Sequence, residues 1–160
     1  MFDSASSADG AAIILTEISF SEMLLVWKNQ LWPKRQSIIE PYSAINIDGE
    51  IDDQIVRMQP EARFFAIYQK SQIVAVTSFH KTSNNEYRLR GTWVHNNYRG
   101  QGMGKKLIST LIRKNFEKGD KIWTLSRDSS KLFYEKIGFS FFKTVQGYEY
   151  GPHSIMVLTK

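Results

Sequence analysis

The sequence predicts an α+β fold in which a mixed, mostly antiparallel sheet carries helices, and three features of its order predict it. Two runs rich in β-branched and aromatic residues, Arg63 to Gln69 and Gln72 to His80, are separated only by Lys70-Ser71, the pattern of a hairpin. Asn84-Asn85 supplies a second turn before a third run, Glu86 to His95, so three successive strands form an antiparallel meander. A helix-period segment from Gly104 to Glu117 then separates the meander from a further strand, Lys121 to Ser126. A helical connection of that kind lets the two strands it joins run parallel.

In chain order, Met1 to Gly10 is polar and mildly acidic, with no basic segment and no long apolar run, and is expected to be a frayed tail and not a signal peptide. Ala11 to Ser19 is apolar and β-branched enough for a first strand. Phe20 to Leu31 then places Met23, Leu24, Trp27 and Leu31 at helical spacing. Between Trp32 and Ala62 the periodicity is poor, because Pro33, Pro41, Asp48-Gly49 and Pro60 interrupt it. This stretch is expected to be loop, with a short helix near Ser37 or Asp52, and to help hold a second substrate, since long irregular stretches in compact domains are often binding loops. Within the third meander strand, Gly91 marks a bulge or a close backbone approach.

The helix after the meander carries Leu107, Ile108, Leu111, Ile112 and Phe116 on one side. Gly119-Asp120 turns the chain into Lys121 to Ser126, with Ile122, Trp123 and Leu125. Asp128 or Ser129 is expected to cap a short helix, Ser130 to Ile137, that stops at Gly138. Phe139 to Val145 and Ser154 to Thr159 close the chain as two strands joined through Gly147 and Gly151-Pro152. No internal repeat or low-complexity tract appears.

At 160 residues the chain is expected to be one domain, large enough to bury roughly two thirds of the surface its unfolded form exposes. With no cysteine, it has no disulfide, no thiolate metal site and no Cys nucleophile, and a cytoplasmic location is expected. No segment has the length of a membrane span. The formal charge of +5 favours anionic partners. Its basic residues are dispersed and form no arginine-rich arm or recognition helix, which argues against nucleic acid. Asp52-Asp53 lacks the company of metal ligands, so no metal site is expected. The four tryptophans, with ten Phe and seven Tyr, read as core and pocket wall.

The chemistry concentrates at Tyr98-Arg99-Gly100-Gln101-Gly102-Met103-Gly104-Lys105-Lys106, a glycine turn that opens a helix. Glycines at alternate positions let the backbone approach a ligand, and first-turn N–H groups have no partner within a helix, so such a terminus binds phosphate. Two familiar phosphate motifs are excluded. A Walker loop needs Ser or Thr where Lys106 stands and a glycine where Arg99 stands, and the dinucleotide fingerprint needs glycine at Lys105.

The element order, together with Arg-x-x-Gly-x-Gly at positions 99 to 104 and Leu-Phe-Tyr-Glu-Lys-Ile-Gly-Phe at 132 to 139, resembles the GNAT superfamily of N-acetyltransferases. The first motif is similar to that family's pyrophosphate loop and the second to its short-helix signature. The resemblance covers about Ile73 to Phe141 and extends to the N-terminal third only in outline. It implies an α/β/α sandwich whose sheet is splayed between the fourth and fifth strands, with helices on both faces.

It also implies acetyl-CoA as acetyl donor and a small-molecule or peptide amine as acceptor. The pantetheine arm would lie along Thr92, Trp93 and Val94, with the Thr92 amide toward the thioester carbonyl. The amides of Arg99, Gly100, Gln101, Gly102, Met103, Gly104 and Lys105 would hold the pyrophosphate. Tyr134 would be the acid for the departing thiolate; the bland reading of the same ring is a core tyrosine with its hydroxyl satisfied. For a base, relatives use a glutamate on the meander strand or a chain of waters. The matching residue here is Arg88, which leaves Glu86, on the same alternating face, or His80, His95 or water. Arg127 replaces an asparagine that many relatives carry. These departures keep a second expectation open, a GNAT-like module that binds acyl-CoA without turnover. Homodimerisation stays open as well.

Overall fold

The computed structural model of the chain describes residues 13–148 and 151–160, so the expected tail, Met1 to Gly10, lies outside the described residues. Among the described residues, seven strands and four α-helices follow one another as β1 (Thr16–Ile18), α1 (Phe20–Val26), α2 (Asp53–Met58), β2 (Arg63–Gln69), β3 (Gln72–Ser83), β4 (Glu86–Val94), α3 (Met103–Asn115), β5 (Lys121–Arg127), α4 (Lys131–Ile137), β6 (Ser140–Val145) and β7 (His153–Thr159). The sheet order is β1-β2-β3-β4-β5-β7-β6. It is mixed: β4 and β5 run parallel, from Glu86↔Lys121 to Leu89↔Thr124, whereas β1 with β2, β5 with β7 and β6 with β7 are antiparallel. The parallel ladder joins the first four residues of β4 to the first four of β5.

The chain falls into two compact units. The first holds the chain up to Pro33 with Arg63–Ser78 and Gly91–Asn115; the second holds Lys34–Ala62, Phe79–Arg90 and Phe116–Lys160.

In the first unit, α1 starts at a capping box in which Glu22 N–H donates to Ser19 Oγ at 3.1 Å and Ser19 N–H to Glu22 Oε1 at 3.0 Å. The expected helix to Leu31 is present, but its last turn, Trp27–Leu31, widens to π-helical spacing as Trp32 N–H reaches back to the Trp27 carbonyl at 2.7 Å. The first strand is shorter than expected. Phe20, Trp27 and Phe64 pack as tilted and edge-on rings, which seats α1 on β2. Lys70 and Ser71 both take positive φ, +53° and +69°, as a two-residue hairpin turn requires. Leu107 of α3 packs into a core with Ile67, Val74 and Ala75. Arg63 pairs with Glu17 across β1 and β2 through both carboxylate oxygens, at 2.9 and 3.0 Å; in that half-exposed position the pair adds at most about 1 kcal/mol.

In the second unit, the short helix of the irregular stretch is at Asp53–Met58, started by Asp52 accepting from Gln54 N–H, and not at Ser37. Trp123, Val145 and Ile155 form one core; Phe79 meets both Tyr87 and Phe116 edge to face, and Tyr87 and Phe116 lie tilted to each other. One expectation fails at α4. Neither Asp128 nor Ser129 caps it: Asp128–Ser130 forms a single 3₁₀ turn that runs straight into the helix, and Ser130, at the N-cap position, makes no side-chain capping bond. No helix among the described residues is long and apolar enough to cross a membrane.

Candidate active site

The glycine turn and the end of β4 that leads to it, from Gly91 on, both lie in the first unit. Gly91 has φ +73°, and a Cβ added there would fall 2.3 Å from the Trp27 indole. The same indole Nε1 donates to the Gly91 carbonyl at 2.9 Å. The expected close approach is therefore to a buried tryptophan ring, and both backbone angle and space admit only glycine. Beyond it, Thr92 Oγ1 lies 2.8 Å from Thr77 Oγ1, and Trp93 is buried with its ring edge-on to His95. The Val94 carbonyl accepts from Arg99 Nε at 2.7 Å, which ties the end of β4 to the start of the turn.

A 3₁₀ turn, Asn96–Tyr98, connects them, and His95 Nδ1 caps it by accepting from Asn97 N–H at 3.0 Å. An imidazole that accepts through Nδ1 and is neutral carries its proton on Nε2, so His95 is a capping residue in this arrangement and offers no second acceptor. Gly100 and Gly102 take φ of +77° and +79°, with nothing within 4 Å of an added Cβ. Gln101 reaches back to the Asn97 carbonyl at 2.9 Å. Lys106 N–H donates to the Gly102 carbonyl at 3.0 Å, so the amides of Met103, Gly104 and Lys105 precede the first helical bond. Gly104 is buried and Lys105 exposed. Open space over two left-handed glycines, three first-turn amides and the cationic residues Arg99 and Lys105 make a cradle whose chemistry fits a diphosphate.

The second unit holds Tyr134 and Glu86. Tyr134 is buried, with its ring held edge-on by Phe133 and Phe139 at 5.0 and 5.4 Å. Its carbonyl accepts from both Gly138 and Phe139 N–H, so the left-handed glycine that ends α4 also fixes the tyrosine's backbone. Glu86 opens β4, six residues before Thr92, and its Oε2 accepts from Thr82 Oγ1 at 2.6 Å. Thr82 in turn accepts from Trp123 Nε1 at 3.0 Å. Glu86 also lines a shallow cleft of about 390 Å³ with Asn46, Asp48, Asp52 and Met58 from the irregular stretch.

His80, the other candidate base, has no exposed surface, and neither ring nitrogen makes a hydrogen bond. Burial, and after it the Arg88 and Arg90 charges, push its pKa well below the ordinary histidine value, and the nearby Ser43 backbone offsets this only in part. The ring is therefore neutral near pH 7. Arg88 is buried beside it, its guanidinium over the Trp123 ring at 5.3 Å, and Arg90 Nη1 donates to the Glu40 carbonyl at 2.8 Å. Sequence reasoning named His80 as a candidate base and Arg88 as a departure from a family pattern, but did not bring them together with Arg90.

Residues 60–141, just over half of the chain, match the acetyltransferase (GNAT) domain. No curated protein matches the sequence. Among solved structures the fold is similar to an IAA acetyltransferase from Bacillus cereus, with a TM-score of 0.66, 15% identity and coverage of 93% of this chain and 100% of that one. It is also similar to an aminoglycoside 6'-N-acetyltransferase complexed with coenzyme A (TM-score 0.64, 15% identity, 92% of this chain and 97% of that one). An N-acetyltransferase from Staphylococcus aureus is a further likeness (TM-score 0.60, 16% identity, 93% and 98%). At such identities these structures speak for the fold, and the domain match speaks for the lineage: the chain belongs to the GNAT family of acetyltransferases.

Proposed function

We propose that the chain, working as one acetyltransferase domain, moves an acetyl group from acetyl-CoA to a primary amine by direct attack. The observation that carries the reading is the cradle at the start of α3, where Gly100 and Gly102 leave open space in front of the first-turn amides. Acetyl-CoA supplies an activated thioester and a diphosphate. In this reading the amides from Arg99 to Lys105 bind the diphosphate, while Trp93 and Val94 flank the pantetheine arm. The Thr92 N–H offers a fixed donor to the oxygen on which charge develops, which is where a preorganised dipole lowers the barrier most. Tyr134 Oη gives its proton to the departing sulfur, and its clamp between Phe133 and Phe139 keeps it in place for that step.

Glu86 is assigned proton removal from the amine because, of the three side chains considered, it alone is a carboxylate and partly exposed. Glu86→Gln with unchanged turnover would hand that step to water. The decisive measurement is CoA release from acetyl-CoA across a panel of amines. Tyr134→Phe is expected to lower kcat by about 10²-fold or more while CoA still binds, as removal of a general acid does. Full turnover in that variant across alkaline pH sinks the acid role. One observation favours a second reading, an acyl-CoA-binding module without turnover: the middle of β4 carries buried arginine and no carboxylate. Tight CoA binding with no product from any amine would select it.

A further inference from the structure

Trp27 is fully buried where it follows α1 and opens the π-helical turn, a rare geometry that recurs at functional sites. Its ring packs against Phe20, Phe64 and Trp32, with centroids 6.4, 6.0 and 5.1 Å away. Filling a core needs no polar atom, yet this ring turns its Nε1 onto the Gly91 carbonyl of β4, 64 residues away in sequence, at 2.9 Å. A carbonyl within a strand ordinarily accepts from a neighbouring strand. Here a side chain engages it, at a glycine whose positive φ and missing Cβ leave room for that same ring.

The consequence falls on the next residue. The Gly91–Thr92 peptide is trans and planar, so its N–H points away from the side on which the indole holds its carbonyl. The Thr92 side chain is fixed as well, by the 2.8 Å contact between its Oγ1 and that of Thr77, a fully buried residue. The parallel ladder with β5 stops at Leu89, three residues short of Thr92, and Gly91 and Thr92 both keep part of their surface exposed. A hydrogen bond to a peptide carbonyl also polarises the whole unit, which strengthens its N–H as a donor.

We infer that Trp27 is a positioning residue for acyl transfer: from the core, it sets the plane of the Gly91–Thr92 peptide and so aims the Thr92 N–H at the thioester oxygen. This role rests on the acetyltransferase reading and deepens it, because the aim of the oxyanion donor becomes a property of the turn after α1. An aimed donor acts most where charge develops in the transition state, so its loss appears in kcat.

Two replacements in the full chain test this: Trp27→Phe, and Trp27 exchanged for 3-benzothienylalanine, whose sulfur stands in place of Nε1–H and whose bicyclic ring fills the same space. The isostere removes the donor and keeps the packing, so it stays decisive if the smaller Phe ring unsettles the fold. With isotope-labelled acetyl-CoA, difference infrared spectroscopy is expected to show the bound thioester carbonyl band below its free frequency in the wild type and moved back toward that frequency in the isostere. CoA, which has no thioester carbonyl, should bind wild type and isostere with the same affinity in calorimetry. With an amine that the panel shows to be acetylated, kcat of the isostere should fall about tenfold or more, short of the roughly 10²–10³-fold cost of losing an oxyanion donor outright. A role in stability alone lowers the melting temperature and leaves band and kcat where they were. That result overturns the proposal, as does a wild-type band at the free frequency, or a kcat loss matched by an equal loss of CoA affinity. The two readings fail separately. Transfer that the isostere sustains in full removes the role of Trp27 and keeps the transferase, whereas a band that responds to the isostere in a chain that acetylates no amine keeps the aim set by Trp27 and removes the transferase.

Discussion

Gly91 is constrained twice, by its left-handed backbone and by the indole pressed against it, and the two constraints can be separated. Gly91→Ala is expected to destabilise the chain by about 3 kcal/mol or more, roughly 1–2 from positive φ and the rest from the overlap with Trp27. Adding Trp27→Ala relieves only the overlap, so the two substitutions should couple in a double-mutant cycle followed by urea unfolding; strict additivity would show that the ring does not confine position 91. The buried imidazoles set a different residue-scale effect. His80 and His153 are both lowered below the ordinary value, by burial first, so below about pH 6.5 the unfolded chain binds more protons than the folded one. Their contribution is fully present above that pH and is lost as pH falls beneath it, by at most about 1.4 kcal/mol per pH unit for each histidine. Urea unfolding between pH 7.5 and 5 should therefore give a shallower loss for His80→Met than for the wild type, and an identical slope would rule His80 out as its source.

At the scale of the element, the start of α3 separates folding from binding. An alanine at Gly102 meets nothing within 4 Å, so it is expected to cost only the roughly 1–2 kcal/mol of left-handed strain, yet its methyl enters the space assigned to the diphosphate. CoA affinity should fall about tenfold or more, equivalent to about 1.4 kcal/mol, in isothermal titration; unchanged affinity would dissolve the cradle. This element was legible in the sequence because an apolar stripe of Leu107, Ile108 and Leu111 repeats at helical period behind alternate glycines. The meander was equally legible, since Lys70-Ser71 and Asn84-Asn85 fall between runs of β-branched and aromatic residues.

The irregular stretch was not, for a physical reason. It is held by an isolated bridge, Ile45↔Ile51, and by Asn46 Oδ1 accepting from Asp48 and Glu50 N–H, contacts that leave no period to find. Gly49 there meets Val145 within 2.4 Å of an added Cβ, a neighbour nearly a hundred residues away that local pattern cannot announce. In the candidate site, Tyr134 and the glycine turn stood out through their motifs, whereas the burial of Arg88, Arg90 and His80 together did not. Polar residues at alternate positions of a strand ordinarily mark a solvent-facing side, and here that side is interior.

At the scale of the whole molecule, the formal charge of +5 is distributed in a way that predicts how donor binding responds to salt. Part of the positive charge is interior, at Arg88 and Arg90, where bulk ions screen little; another part, Arg99 and Lys105, is exposed at the glycine turn. A ligand that binds the folded chain alone raises its stability by about 2.7 kcal/mol at a hundred times its Kd, which for a chain of this size is a rise in Tm of roughly 5–10 °C. CoA is expected to give such a rise. Because the screening length falls from about 10 Å at 0.1 M salt to about 3 Å at 1 M, the rise should shrink steeply over that range, as attraction between exposed cations and phosphates must. Pantetheine, which lacks the diphosphate, should produce little shift at either salt concentration. A shift that ignores salt, or one that pantetheine reproduces, would move the source of donor affinity from the charged turn at Arg99 to Lys105 onto the pantetheine-flanking strand.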